Sequence, residues 1–481
     1  MRIRAHEMLL AAQFTQQSHI FVVVVLALLF FPRLADAQTA ARNDPVDREF
    51  LTWARQNLRP IATLGSEARL ADLEPLRRMI GNATVVSFGE GLHGGAEPLE
   101  FRNRLFRFLV EKMGFTAIAI ESGITEGYGV NQYVLGGPGD LKTVVAQGFH
   151  PAFNKLPQSA ALVQWMREYN ADPKHSRKIE FYGFILPGSD GDSKITLALE
   201  DALRYLDGVD SAAATTLRNR TKAILPMLIY DRFSDAPNRY SHLSQPLRDQ
   251  MTAAIADMIS LFKIQEAAYI AASSDRAYQL AYRSAVVAGQ VDEYLRQFPL
   301  GWTPKTGLAS LMGTSAVADR AAADNVQWIK EQQGPDGKIL VFAHRDHIAT
   351  ALITVRIPEK NPFGLPPQPM VPLPPMMGTY LQRRYGTRLI TIGNLLAEDT
   401  SNCKKKRLPA ASGSLEALLS KLNTPFFVLD LRTAPRGVAS WLQQSHELYG
   451  LELPDSLNVG KAFDIVFFSR LVTPAVPCTE R

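Results

Sequence analysis

The stretch Thr84–Glu121 (TVVSFGEGLHGGAEPLEFRNRLFRFLVEKMGFTAIAIE) constrains the fold more than any other part of the chain. Two apolar runs, Thr84–Phe88 and Phe115–Ile120, read as buried parallel strands, and the pattern over Pro98–Met113 reads as a helix joining them. Parallel strands need such a crossover, and the helices then cover both faces of the sheet. Ionisable groups stand where the strands stop: Glu90 and His93 after the first, Glu121 closing the second. In open α/β sheets ligands bind in the crevice beyond the carboxyl ends of the strands. Proton-transfer groups gathered on that edge mark it as a candidate site.

The loop also fits a dinucleotide fingerprint, since Gly89, Gly91 and Gly94 form G-x-G-x-x-G between a strand and a helix. Electrostatics argues against a pyrophosphate there. A helix N-terminus favours anions, but Glu90, Glu97 and Glu100 already bring carboxylates to this one. Glu121 also comes late for a ribose ligand.

With 481 residues, the chain can bury one large core or two. A net charge of +5 is small for that length, and the basic run Cys403–Arg407 (CKKKR) reads as a solvated loop rather than a nucleic-acid patch. Ile20–Phe31 is apolar, and Ala35-Asp36-Ala37 supplies a small-x-small cleavage pattern. Residues 1–37 are therefore expected to be a signal peptide, leaving a soluble protein that is secreted, or periplasmic in a diderm bacterium. Cys403 and Cys478 would meet an oxidising compartment, where a bridge between them and two separate thiols are both open.

Strand and helix patterns alternate along 38–192, expected to be the first part of an α/β core. Residues 193–299 turn to long helical patterns and are expected to form a helical insertion or subdomain. Alternation resumes over 300–481, including the strand Lys338–Ala343. The expected fold is a three-layer α/β/α arrangement on a mainly parallel sheet, with that helical subdomain added. Pro358–Pro375 holds eight prolines in eighteen residues and is expected to be an extended loop.

Of the nine histidines, His344 and His347 follow the strand Lys338–Ala343 and so share a sheet edge with Glu90, His93 and Glu121. Such a cluster suits metal-free hydrolysis, with one imidazole as base on water and a second cation at the oxyanion. It also suits a divalent metal that acidifies water, or a non-catalytic haem or metal site. Neither a G-x-S-x-G elbow nor an H-E-x-x-H helix occurs. Arg102, beside Arg104 and Arg107, reads from its position alone as a surface cation on a helix.

The block G-E-x-x-H-G-x-x-E at Gly89–Glu97, followed by FRNRLFRFLVEKMGFTAIAIE, resembles the opening of the erythromycin esterase family. YGVNQYVLGG, QWMREYN, KIEFYGF, ADNVQWI, VFAHRDH and PMMGTYLQRRYG resemble later family blocks in the same order. The resemblance implies an α/β core with a helical subdomain, and hydrolysis of an ester or macrolide lactone by activated water without an obligatory metal. It implies His93 as general base, Glu90 as its partner acid, and Glu121 and His344 in catalysis. Arg102 and His347 would contact the substrate. Arg345-Asp346 stands between the later histidines, where the family usually has small or amide residues.

Overall fold

The computed structural model describes residues 45–65, 69–188, 196–225, 236–301, 307–361, 365–401, 408–411, 413–448 and 455–478. The expected signal segment and Cys403 lie outside these residues; Cys478 is disulfide-bonded. No helix among the described residues is long and apolar enough to cross a membrane.

Seven strands build the main sheet: β1 (Val85–Glu90), β2 (Ala117–Gly123), β3 (Glu180–Ile185), β4 (Ile339–His344), β5 (Leu389–Asp399), β6 (Phe426–Asp430) and β7 (Ile465–Val472). They lie in the order β6-β7-β5-β1-β4-β2-β3, with Arg59–Pro60 outside β6 and Leu408–Pro409 paired to β5. All neighbours from β7 to β3 are parallel, and the β6 edge is antiparallel. The chain winds outward from β1 to β2 and β3, then returns to insert β4 between β1 and β2. That return makes β1, β4 and β2 adjacent and brings their carboxyl ends together.

Alternation along the strands assigns the faces. Val86 and Phe88 of β1, with Leu340 and Phe342 of β4, pack on α1 (Ala96–Met113) and α2 (Pro157–Ala171). Val85, Val341 and Ala343 face the other way, into a core shared with residues of α3 (Leu197–Val209), α4 (Gln245–Ile264), α5 (Asp275–Leu295) and α6 (Leu308–Gln332). The described helices within 193–299 thus share a continuous core with the sheet. Helix α1 begins with Pro98 in its first turn and stops at Gly114, whose φ of +72° caps the end in the left-handed region that glycine tolerates best.

The sequence patterns do not foresee a second, four-stranded antiparallel sheet made of Ser445–Leu448, Asp455–Asn458, Ile353–Ile357 and Gln368–Pro372. Part of the proline-rich segment is therefore strand rather than loop. It lies at the sheet edge, where missing N–H donors are tolerated.

Candidate active site

Strand β1 delivers Glu90 in register with His344 of β4. Position 89 must be glycine, because a Cβ there would lie 2.4 Å from the Cα of Arg345 in the short helix α7 (Arg345–Ile348). The following loop turns through Gly94 at φ +78° and is tied down by distant segments. The Gly91 N–H donates to Asn394 Oδ1 of β5 at 3.2 Å, and the Gly94 carbonyl accepts from Ala475 N–H at 2.9 Å. The Glu97 carboxylate, expected at the helix N-terminus, accepts from both the N–H and the hydroxyl of Thr473 at 2.7 Å.

This fixed loop holds His93 Nδ1 2.5 Å from Glu90 Oε1. The Glu90 side chain is wholly buried and that of His93 is 27% exposed, so the imidazole is the accessible end of the pair. Burial raises the Glu90 carboxyl, against the pull of His93. Burial lowers His93, but Glu90 and then Glu121 outweigh it and lift the imidazole to about 9. The pair consequently holds a proton at neutral pH.

The ladder between β2 and β4 ends at Ile120 and Phe342, where β2 carries an irregularity before Gly123. Such irregularities re-aim side chains at strand ends. Here the Glu121 Oε2 replaces the ladder by accepting from His344 N–H at 2.6 Å. The next residue, Ser122, accepts from the His150 N–H through Oγ at 2.9 Å. Burial raises Glu121, but the charges of His347 and His93 and the His344 N–H reverse this, so its carboxyl lies below the usual range and is ionised.

His344 is buried, and its ring centroid lies 5.5 Å from that of His93. Its Nδ1 accepts from Asp346 N–H at 3.4 Å while Nε2 lies 3.3 Å from the Gly91 carbonyl, which places the proton on Nε2. Burial, then the cations His93 and Arg345, push it well below the usual histidine range, so it is neutral. His347 behaves oppositely. Its Nδ1 lies 2.8 Å from Asp319 Oδ1 and its Nε2 3.6 Å from Glu121 Oε1. Burial is overridden by Asp319 and Glu121, and the imidazole is pushed up to about 10.

Arg102, far from being a surface cation, is fully buried on α1. It donates to Asn103 Oδ1 at 3.0 Å and lies over the Phe342 ring, 4.8 Å from its centroid. Burial pulls the guanidinium down to about 10, opposed by Glu90. Its route to the site is therefore through the field at Glu90 and not through an exposed surface. Arg345 is also buried, 3.3 Å from Asp455 Oδ2 of the small sheet and 3.5 Å from Asp346 Oδ1.

Glu90, His93, Glu121, His344 and His347 thus form one connected cluster around the β1, β4 and β2 ends, whereas Arg102, expected to contact the substrate, is fully buried and reaches the cluster only through its charge at Glu90. Three further members were not singled out. Asp319 occupies the buried stripe of α6 shared with Ala322 and Val326, and a charge at an apolar-stripe position was its available signal. Asn394 interrupts the otherwise apolar strand ITIGNLLA and donates to Phe467 O at 3.1 Å. His150, 6.4 Å from His93 between ring centroids, lies between helices and has no sequence signal.

Several donors of this cluster are engaged by neighbours within the protein. Asp319 and Glu90 already engage ring nitrogens of His347 and His93, and His344 directs both of its nitrogens at backbone groups. Among the described residues, no group of three or more His, Cys, Asp or Glu side chains is arranged to hold a metal ion.

The family model described as erythromycin esterase matches residues 110–470, a span that contains Glu121, His344 and His347 but begins after Glu90 and His93. Erythromycin esterase type II of Escherichia coli is 25% identical over 304 residues, covering 62% of this chain and 68% of that protein. A putative hydrolase of Bacillus subtilis, YbfO, is 22% identical over 474 residues, covering 94% and 97%. Among solved structures, a succinoglycan biosynthesis protein superposes with a TM-score of 0.70 at 23% identity, covering 90% of this chain and 98% of that one. The open conformation of an erythromycin esterase mutant, EreC, gives 0.63 at 16% identity, covering 87% and 98%. At these identities the structural likenesses establish the fold.

Proposed function

We propose, for this chain, which belongs to the erythromycin esterase family, hydrolysis of a small-molecule carboxylic ester or lactone by activated water. The observation that carries this is the buried Glu90 bonded at 2.5 Å to the accessible His93 beside the neutral His344 and ionised Glu121. In its neutral form, His93 takes a proton from water as the water oxygen bonds to the carbonyl carbon and the C=O becomes an oxyanion. Collapse breaks the ester C–O bond, and the imidazolium returns the proton to the leaving alkoxide. Acid and alcohol are the products. The apolar run Ile20–Phe31 and the motif Ala35-Asp36-Ala37 support export to the cell exterior or periplasm.

A base must be deprotonated to act, and His93 is lifted to about 9. At pH 7 roughly a hundredth of the enzyme then carries a neutral His93, so kcat/KM rises about tenfold per pH unit from pH 6 to 8 and levels near pH 9. Initial rates on an aryl ester across that range test this. A flat profile would remove His93 as the base.

The donor geometry also leads us to propose that no divalent metal takes part. Protein dialysed against a strong chelator should retain activity within about twofold, and restoration by added zinc or manganese would reverse the assignment. Screening macrolides and simple aryl esters tests the activity itself.

A further inference from the structure

Asp319 lies on α6, on the sheet face opposite Glu90, and is 2% exposed. One oxygen, Oδ1, accepts from two groups: His347 Nδ1 at 2.8 Å and the backbone N–H of Met377 at 2.9 Å. Met377 opens the helix α8 (Met377–Tyr385), so the carboxylate is fixed from a second element and cannot follow the ring if it turns. With Nδ1 committed as a donor to Asp319, His347 points Nε2 at Glu121, the group that also receives the His344 N–H. A carboxylate on a ring nitrogen sets the orientation and tautomer of the imidazole and stabilises its cation.

Building on the hydrolase assignment, we propose that Asp319 is a positioning residue that holds His347 as a fixed imidazolium, making His347 the cation that meets the developing oxyanion. The carboxylates facing this ring favour a cation and together override its burial. Asp319 comes from α6, Glu121 from β2 and Asp346 from the same turn, and all three favour the proton. His93 is the one cationic imidazole that opposes it, since His344 is neutral. Proton uptake by His347 is thus complete before substrate arrives, and no reorganisation is needed when charge develops on the carbonyl oxygen. His344, neutral and with Nε2–H directed at the Gly91 carbonyl, supports the loop instead.

Asp319→Asn isolates the charge, because an amide oxygen can still accept from the Met377 N–H and from a protonated Nδ1. Nitrogen NMR of the histidine side chains in the mature protein should show His347 doubly protonated at pH 8 in the unaltered chain. In Asp319→Asn the titration midpoint of His347 should fall by at least about one unit. In the same variant kcat should drop roughly tenfold or more with KM within about twofold, below the ~10²–10³ that loss of an oxyanion donor costs. A neutral His347 at pH 8 in the unaltered chain overturns the proposal, whether or not the variant folds, as does an unchanged midpoint or kcat in a folded variant. The NMR measurement needs no substrate. If no ester is turned over but His347 is cationic and Asp319-dependent, the hydrolase assignment fails and the positioning role stands.

Discussion

His93→Ala should lower kcat on any ester that the protein cleaves by at least about a hundredfold, the low end for removal of a positioned general base. The effect should fall on kcat and not on KM, because His93 is tied to the buried Glu90, and the uncharged carbonyl of an ester offers it little to hold in the ground state. His93→Asn is the informative companion. Its amide can still donate to Glu90 but cannot accept a proton from water, so a stable, inactive His93→Asn protein separates loss of the base from loss of the fold. In His93→Ala the Glu90 carboxyl loses the partner that opposes its burial, moves further upward and becomes protonated. Turnover within a few-fold of the unaltered enzyme in both variants would remove His93 from the chemistry.

Arg345→Met should destabilise the protein by about 3–5 kcal/mol, the range for breaking a buried ion pair from one side. The guanidinium is fully buried and faces Asp455, whose own carboxyl is raised to about 7 by burial even with that cation beside it. Removing the cation leaves Asp455 to be protonated or to draw in water, and either outcome strains the contact between Asp455–Asn458 and the neighbouring strand Ile353–Ile357. The double variant Arg345→Met with Asp455→Leu should recover most of the loss, since apolar replacement of a whole buried pair is often neutral or better. Urea unfolding of the two single variants and the double variant measures the coupling. A loss under about 1 kcal/mol in Arg345→Met would mean that the pair is hydrated. Activity should fall as well, because Arg345 directly follows His344 and its Cα packs against Gly89.

Much of this was legible in the chain. The apolar runs beside Glu90 and Glu121 became β1 and β2, the pattern from Pro98 became α1, and the strand before His344 took its place between them. Strand ends were readable because parallel buried strands are continuous apolar runs, so the first ionisable residue marks the rim. Fold class and family followed from the same blocks. Less was readable where tertiary contacts decide. Arg102 looks like a solvated cation on an amphipathic helix, and only the packing of α1 on Phe342 reveals it as buried. Asp319 and Asn394 act through partners 28 and 303 residues away, a distance that local periodicity cannot report. The small antiparallel sheet escaped because its prolines argue against strand in any position but an edge, and edge status depends on the assembled sheet.

The fastening of the Glu90–Ala96 turn to Thr473 and Ala475 has a consequence for biosynthesis. Thr473 and Ala475 lie some three hundred and eighty residues beyond Glu90, so they leave the ribosome long after the groups that they hold in place. An unfinished polypeptide can contain every titratable group discussed above and still lack the clamp that aligns them. Alignment of the site is thereby withheld until translation has passed Ala475, and a fragment that stops short of Thr473 is expected to fold without this clamp.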